Sequence, residues 1–307
     1  MPLSLSDLRA IVAAASTIPE RVSNHILSCA GQTNDEMLQE RLYAWCRVST
    51  AGDWRRFQER LSWDGLDLTG ALHLLAPGVW SEQIPLPAWT TTLQEALHLL
   101  ETMPGENTLV EKVSWAFLDA TTPLPFEELL APFVAIARQQ FLAQARTTTD
   151  LLTDAALLTL QRHLLQVLIS LSLPTLHAEF AQGLQAAGDN EQRDSGEFSR
   201  HFVQHMRQGG MAALLRTYSV LARLLATTCD LWVEANIEFA HRLASDWLDM
   251  AEMFSNGDDP GQVTEIQPAL SDTHAGRRCV TALTFACGTR LIYKPRPVGM
   301  EDAFASL

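Results

Sequence analysis

The alternation of apolar and polar positions along this chain is mostly helical. Over residues 125–146, Phe126, Leu130, Phe133, Ala137 and Phe141 recur at steps of four, three, four and four, which is one face of an α-helix. Pro132 falls inside that stretch and predicts either a kink or a helix restarting on a first-turn proline. Thr149 and Asp150 read as the N-cap of a helix that carries Leu157, Leu160, Leu164, Leu168 and Leu171 on one side and ends at Pro174. Another helix is expected after Gly209 and Gly210, with Leu214, Tyr218, Leu221 and Leu225 as its stripe. The longest is expected from about Asp230, where Val233, Ile237, Ala240, Ala244, Trp247, Ala251 and Phe254 alternate steps of four and three. Shorter amphipathic segments lie near 34–46, 53–62 and 91–102, separated by proline-containing breaks at 76–78 and 84–87. The polar stretch 186–195 reads as the one flexible linker, and no internal repeat is visible.

After Phe254 the period changes. Residues 255–261 (SNGDDPG) are a strong loop signal, and two β-type runs follow, 279–286 and 289–294, joined through Cys287 and Gly288. Leu283 and Phe285 alternate with small or polar neighbours, as do Leu291 and Tyr293, which predicts a β-hairpin. A two-stranded ribbon is marginal in water without a third strand or a covering helix. Only a proline-rich turn and residues 301–307 follow it, and 302–307 read as the first turns of a further helix. The expectation is therefore a mainly α protein whose chain stops in the middle of an architecture.

Composition narrows the function classes. The chain is 47% hydrophobic and 19% charged over 307 residues, enough to bury a sizeable core and too apolar for intrinsic disorder. A net charge of −14 argues against general nucleic-acid or anionic-membrane binding. Its five cysteines are scattered and form no CxxC pair, so neither a disulfide framework nor a zinc site is expected, and a reducing compartment fits. The N-terminus lacks a signal-peptide pattern and polar positions interrupt every long apolar run, so a cytoplasmic protein with no membrane span is expected.

Candidate chemistry concentrates near the C-terminus. His201 and His205 share a helical face, but Phe202 stands where a zinc protease places its glutamate and no third ligand is evident, so they read as structural. Nucleophile elbows, phosphate loops and dinucleotide fingerprints are missing from the sequence. Asp272 and His274, by contrast, stand two apart just before the hairpin, and Lys294 closes its second strand. A lysine at a strand end, oriented by a carboxylate, is how kinases hold the α- and β-phosphates of ATP. Arg296 adds a second cation between Pro295 and Pro297, in a chain whose other lysine is Lys112. The bland alternative is an exposed edge-strand lysine.

The block LSDTHAGRRCVTALTFACGTRLIYKPRP resembles the stretch around the Asp-x-His and Tyr-Lys-Pro-Arg motifs of the dehydratase domain of class II lanthipeptide (lantibiotic) synthetases, the LanM type. Asp272, His274, Arg278, Val280, Leu283, Phe285, Gly288, Leu291, Tyr293, Lys294, Pro295 and Arg296 match in one register, and Asp302 and Phe304 also fit. Residues 124–128 and 220–225 are similar to helical parts of the same domain. Gly276 departs from the pattern: it stands one place early, with Arg277 where the family has glycine.

The resemblance implies a helical part of the dehydratase domain over 1–262, then the start of a kinase-like (lipid-kinase-like) lobe over 263–307. It implies ATP- and Mg²⁺-dependent phosphorylation of Ser and Thr in a ribosomal precursor peptide, then elimination of phosphate to dehydroamino acids. Lys294 would take the nucleotide phosphates with Arg296 nearby. Asp272 and His274 would lie in the same cleft, orienting Lys294 or serving the elimination step. The family's catalytic loop, metal-binding carboxylates and zinc cyclase domain are expected beyond residue 307, supplied in cis or in trans, so the chain as given is expected to be inactive alone and to bind nucleotide weakly. The alternative reading is a non-catalytic helical scaffold that binds a peptide or partner protein.

Overall fold

A computed structural model describes residues 3–23, 26–28, 35–102, 115–119, 121–145, 148–186, 195–296, 299 and 303–304. The expected linker over 186–195 and the expected helix over 302–307 fall largely outside them. The protein is mainly helical, with a small three-stranded antiparallel sheet near the C-terminus. It divides into two compact units, one of Leu3–Thr90 with Leu214–Arg223, the other of Thr91–Ala213 with Leu224–Leu307.

In the first unit, α1 (Leu5–Ala14) opens on a capping box. Ser4 accepts from the Asp7 amide while the Asp7 carboxylate takes the Ser4 amide. Thr17 and Glu20 repeat the device at α2 (Ile18–Val22). There follow β1 (Ile26–Ser28), α3 (Asp35–Thr50), α4 (Trp54–Trp63), α5 (Leu68–Leu75) and β2 (Gly78–Trp80), with β1 and β2 paired antiparallel. Asp53 and Asp67 cap α4 and α5. Leu42, Cys46, Phe57, Leu61 and Ala71 make one core here, with Trp45 edge-on to Phe57 at 5.3 Å. The Leu214–Arg223 segment is tied in by charge. Arg216 pairs with Asp7 at 2.9 Å and Arg223 with Glu20 at 2.7 Å.

The second unit carries the rest of α6 (Trp89–Thr102), then α7 (Glu127–Gln144) and α8 (Asp154–Ala186). Pro132 lies inside α7, whose Leu129, Leu130, Phe133, Ala137 and Phe141 are fully buried. The N-cap expected at Thr149 sits one turn early. Residues Thr149–Leu151 form a 3-10 turn, and Thr153 caps α8 by accepting from the Ala156 amide. Pro174 does not end that helix. Buried Leu168, Ser172 and Leu176 on either side hold both halves in the core, which offsets the roughly 3 kcal/mol of an interior proline. By length and composition alone α8 could cross a membrane, and half of its most apolar window is buried inside the protein.

Next come α9 (Ser195–His205) and α10 (Met211–Thr217), linked by a π-type turn in which Gly209 takes φ +107°. A Cβ on Gly210 would stand 2.8 Å from the His205 carbonyl. The helix expected from Asp230 begins earlier and ends earlier: α11 runs Ser219–Ser245, and after Asp246 the chain restarts as α12 (Trp247–Phe254). Of the stripe's members on α12, Ala251 is buried and Trp247 packs on the buried Phe285, whereas Phe254 is exposed, so the stripe reaches the core only in part.

Three strands close the chain: β3 (Val263–Gln267), β4 (Thr281–Phe285) and β5 (Arg290–Tyr293), in that order and antiparallel. The expected hairpin is β4–β5, and β3 supplies the third strand that such a ribbon needs. Its register with β4 slips at a bulge between Val263 and Glu265. Thr281, Leu283 and Phe285 of β4 are buried, and Phe285 meets Trp247 at 5.9 Å. The N-terminal end of α8 docks on this sheet, with Thr153 donating its amide to the Val263 carbonyl.

Candidate functional site

The site is built on the loop between β3 and β4 and on the end of β5. The loop is cinched at its base by the Leu270 amide on the Val280 carbonyl at 2.9 Å, with Ser271 Oγ accepting from the Val280 amide. At its tip, His274 and Arg278 exchange both backbone hydrogen bonds, at 2.8 and 2.9 Å, and enclose three residues. Those three, Ala275, Gly276 and Arg277, all have positive φ, of 40°, 80° and 67°. Glycine adopts that conformation freely, whereas a side chain costs about 1–2 kcal/mol there. Arg277 therefore carries the backbone demand that a glycine would meet without strain.

What holds so tight a tip in place is a charge network reaching from α11. Arg278 Nε donates to Glu238 Oε2 at 2.7 Å, and its Nη2 reaches the same oxygen. Arg278 Nη1 also donates to the Ala275 carbonyl, closing the tip on itself. The other oxygen of Glu238 pairs with Arg242, whose Nη1 donates to the Tyr293 hydroxyl at 3.3 Å. Glu238 thus binds the loop and β5 to one helix, and it raises the affinity of Arg278 for its proton. Phe239 packs edge-on against the Tyr293 ring at 5.1 Å, and burial pushes the Tyr293 phenol up from its ordinary value.

Strand alternation then divides the motif. Tyr293 faces α11, so Lys294, the next residue, turns to the opposite face and is exposed. Arg296 is exposed as well, and so are Asp272 and His274. Among the described residues no hydrogen bond or ion pair joins any two of Asp272, His274 and Lys294. His201 and His205 are both exposed on α9, and no three His, Cys, Asp or Glu among the described residues gather as a metal site.

Behind the sheet lies a small cavity of about 60 Å³, lined by His163 of α8, Asn236 and Phe239 of α11, and Arg277, Cys279 and Tyr293. Burial lowers the affinity of His163 for its proton, and the nearby Arg277 charge lowers it further. Burial raises the Cys229 thiol well above its ordinary range. Sequence reasoning missed Glu238 and Arg242. Their four-residue spacing on a helix was the available signal, and it is one that solvated helix faces share.

Residues 218–307 match the family model described as a domain of unknown function (DUF4135). The matched stretch takes in α11, α12 and the whole three-stranded sheet, and so Glu238, Arg242, the loop between β3 and β4 and Lys294, but not His163 of α8. No curated protein matches the chain.

Proposed function

We propose that this chain is part of a class II lanthipeptide synthetase of the LanM type, and that residues 263–307 open its kinase-like, nucleotide-binding lobe. The observation that carries the reading is the placement of Lys294. It is exposed directly after a strand whose last residue is pinned to a helix, which is where a phosphate-binding lysine must stand to be both rigidly carried and accessible. The Asp-x-His and Tyr-Lys-Pro-Arg resemblance supports it, as does the matched domain, which is known in the context of lanthipeptide synthetases.

In this reading Lys294 and Arg296 hold the α- and β-phosphates of ATP, and two exposed cations two residues apart fit such a group. The Ser or Thr hydroxyl oxygen of a precursor peptide attacks the γ-phosphorus and ADP leaves. A base then takes the α-proton, the phosphate departs with the C–O electron pair, and the dehydroamino acid remains. Asp272 and His274 are assigned to this cleft, His274 as a proton carrier or Asp272 as the group that orients Lys294. Mg²⁺ accompanies ATP in that family and would neutralise phosphate charge. No group in this chain is assigned to it, and the cyclase zinc belongs to a separate domain.

The test is transfer of labelled phosphate from ATP to a Ser/Thr-containing precursor peptide by the protein that carries this chain together with its remaining parts. Lys294→Ala is expected to lower transfer by about a hundredfold, the scale of losing one preorganised electrostatic contact, while peptide binding persists. Transfer within twofold of the parent would remove Lys294 from the reaction. Peptide binding with no nucleotide dependence would favour the scaffold alternative.

A further inference from the structure

The first unit, almost all of which lies outside the matched span, contains a groove of about 640 Å³ lined by α1, Arg21, Arg41 and the start of β2. Its charge is unlike that of the chain. Leu3–Thr90 holds seven arginines against ten carboxylates, yet among the described residues three of those arginines, Arg9, Arg21 and Arg41, line the groove against one acid, Glu82. None of the three pairs with a carboxylate among the described residues.

Each guanidinium is instead fixed by backbone carbonyls. Arg21 donates to Leu74, Ala76 and Ala13, and Arg41 to Leu75, so the two together cap the carbonyl end of α5. Arg9 donates to the Ser81 carbonyl at 2.9 Å. The capping role accounts for Arg21, which also donates Nε to Ser16 and has nearly exhausted its donors. It does not account for Arg9 and Arg41. Each spends one nitrogen on a carbonyl, and most of its five N–H donors stay unspent. Arg21 meanwhile is half-buried, and it and Arg41 are close enough for their like charges to repel. An anion in the groove would relieve that repulsion and accept from the donors that Arg9 and Arg41 do not give to protein carbonyls.

We infer that this groove binds an acidic peptide segment, with carboxylates spaced to meet Arg9 and Arg41 and small apolar side chains between them. Three features favour a peptide over a lone small anion. A groove of this volume falls in the range of sites that enclose sizeable ligands. Its floor is apolar, with Leu5, Ala10, Ala13, Ala14 and Val79. One wall is Gly78 and Val79 of β2, a member of a two-stranded ribbon and so a strand with an unpaired backbone edge. Among the described residues the lining offers no aromatic ring on which a nucleotide base could stack. The inference is independent of the kinase-like reading of residues 263–307.

Fluorescence anisotropy with a labelled peptide of alternating glutamate and alanine tests it, with a lysine–alanine peptide as control and inorganic tripolyphosphate as competitor. The glutamate peptide is expected to bind, and to bind more weakly as salt rises. Arg9→Gln and Arg41→Gln are expected to weaken it by about tenfold each, one charge-assisted contact apiece. Glu82→Gln, an exposed change that leaves the arginines in place, is expected to tighten binding a few-fold. Equal binding of both peptides, binding indifferent to Arg41→Gln, or no gain from Glu82→Gln would overturn the proposal. Complete displacement by tripolyphosphate at concentrations below those of free peptide would show a small-anion site and overturn it too.

Discussion

Replacing Glu238 by alanine should release the site loop, and the cost can be worked from the contacts. Glu238 takes two donors from Arg278 and one from Arg242, and its side chain and that of Arg278 are each 25% exposed. Fully exposed pairs contribute about 0–1 kcal/mol. Stripping one partner from a buried pair costs about 3–5 kcal/mol. At a quarter exposure the Arg278 pair falls between, and the Arg242 pair, with Arg242 45% exposed, lies near the lower limit. The expected loss for Glu238→Ala is about 2 kcal/mol, or a fall in Tm of roughly 4–8 °C for a unit of this size. Glu238→Gln keeps an acceptor and should lose about half as much. Arg242→Ala should cost under about 1 kcal/mol. Denaturant unfolding gives the energies, and hydrogen exchange over residues 270–280 locates them. The Val280 and Arg278 amides should exchange faster in Glu238→Ala while amides of α7 stay protected. A loss below about 0.3 kcal/mol, or unchanged exchange in the loop, would refute the claim that α11 holds the tip.

Further expectations follow from the same geometry. Arg277→Gly should recover about 1 kcal/mol of left-handed backbone strain and raise the His163 pKa by removing a neighbouring positive charge, readable by NMR titration. His163 sits below its ordinary 6.5 when folded, so the unfolded chain binds the extra proton; stability should fall as pH drops below about 6.5 towards the depressed value, and His163→Gln should flatten that slope in unfolding measured across pH 5–7. Phe285→Ala, at a side chain 1% exposed and packed on Trp247, should cost about 3–5 kcal/mol by denaturant unfolding. Pro174→Ala should raise Tm, because the helix it interrupts continues through it and would regain the Ser170 acceptor; a lower Tm would mean that the proline's bend is itself required by the packing.

The helices were legible where buried apolar residues recur every three or four positions. Leu130, Phe133, Ala137 and Phe141 in α7 and Leu157, Leu160, Leu164 and Leu168 in α8 show it, although α7 is buried on more than that one face. Two kinds of feature were not. Prolines and caps mark helix ends only when packing does not override them, and Pro174 lies between buried turns that do. The strand β3 was hidden because its five residues, VTEIQ, bury only Val263 and Ile266 across a bulge, which breaks the period of two. At the site, the residues themselves were visible in the sequence as Asp272, His274 and Lys294. What fixes the loop was not, because Glu238 lies some forty residues upstream and reaches Arg278 only through the fold.

That division bears on where function is to be sought. Of the motif residues that resemble the synthetase block, Leu283 and Phe285 fill the core, Tyr293 packs on Phe239, and Arg278 closes the loop on Glu238. A folded chain would need each of them with no substrate at all. Asp272, His274 and Lys294 play no such structural part. They are exposed, they join no hydrogen bond or ion pair through their side chains among the described residues, and they sit on a framework that other residues stabilise. Surface side chains of this kind can be changed with little effect on stability, usually within about 0.5 kcal/mol. Alanine at these three positions should leave unfolding unchanged, and any loss of nucleotide or peptide chemistry would then belong to the site itself. Loss of activity with loss of stability, at Arg278 or Tyr293, would report only that the platform had moved.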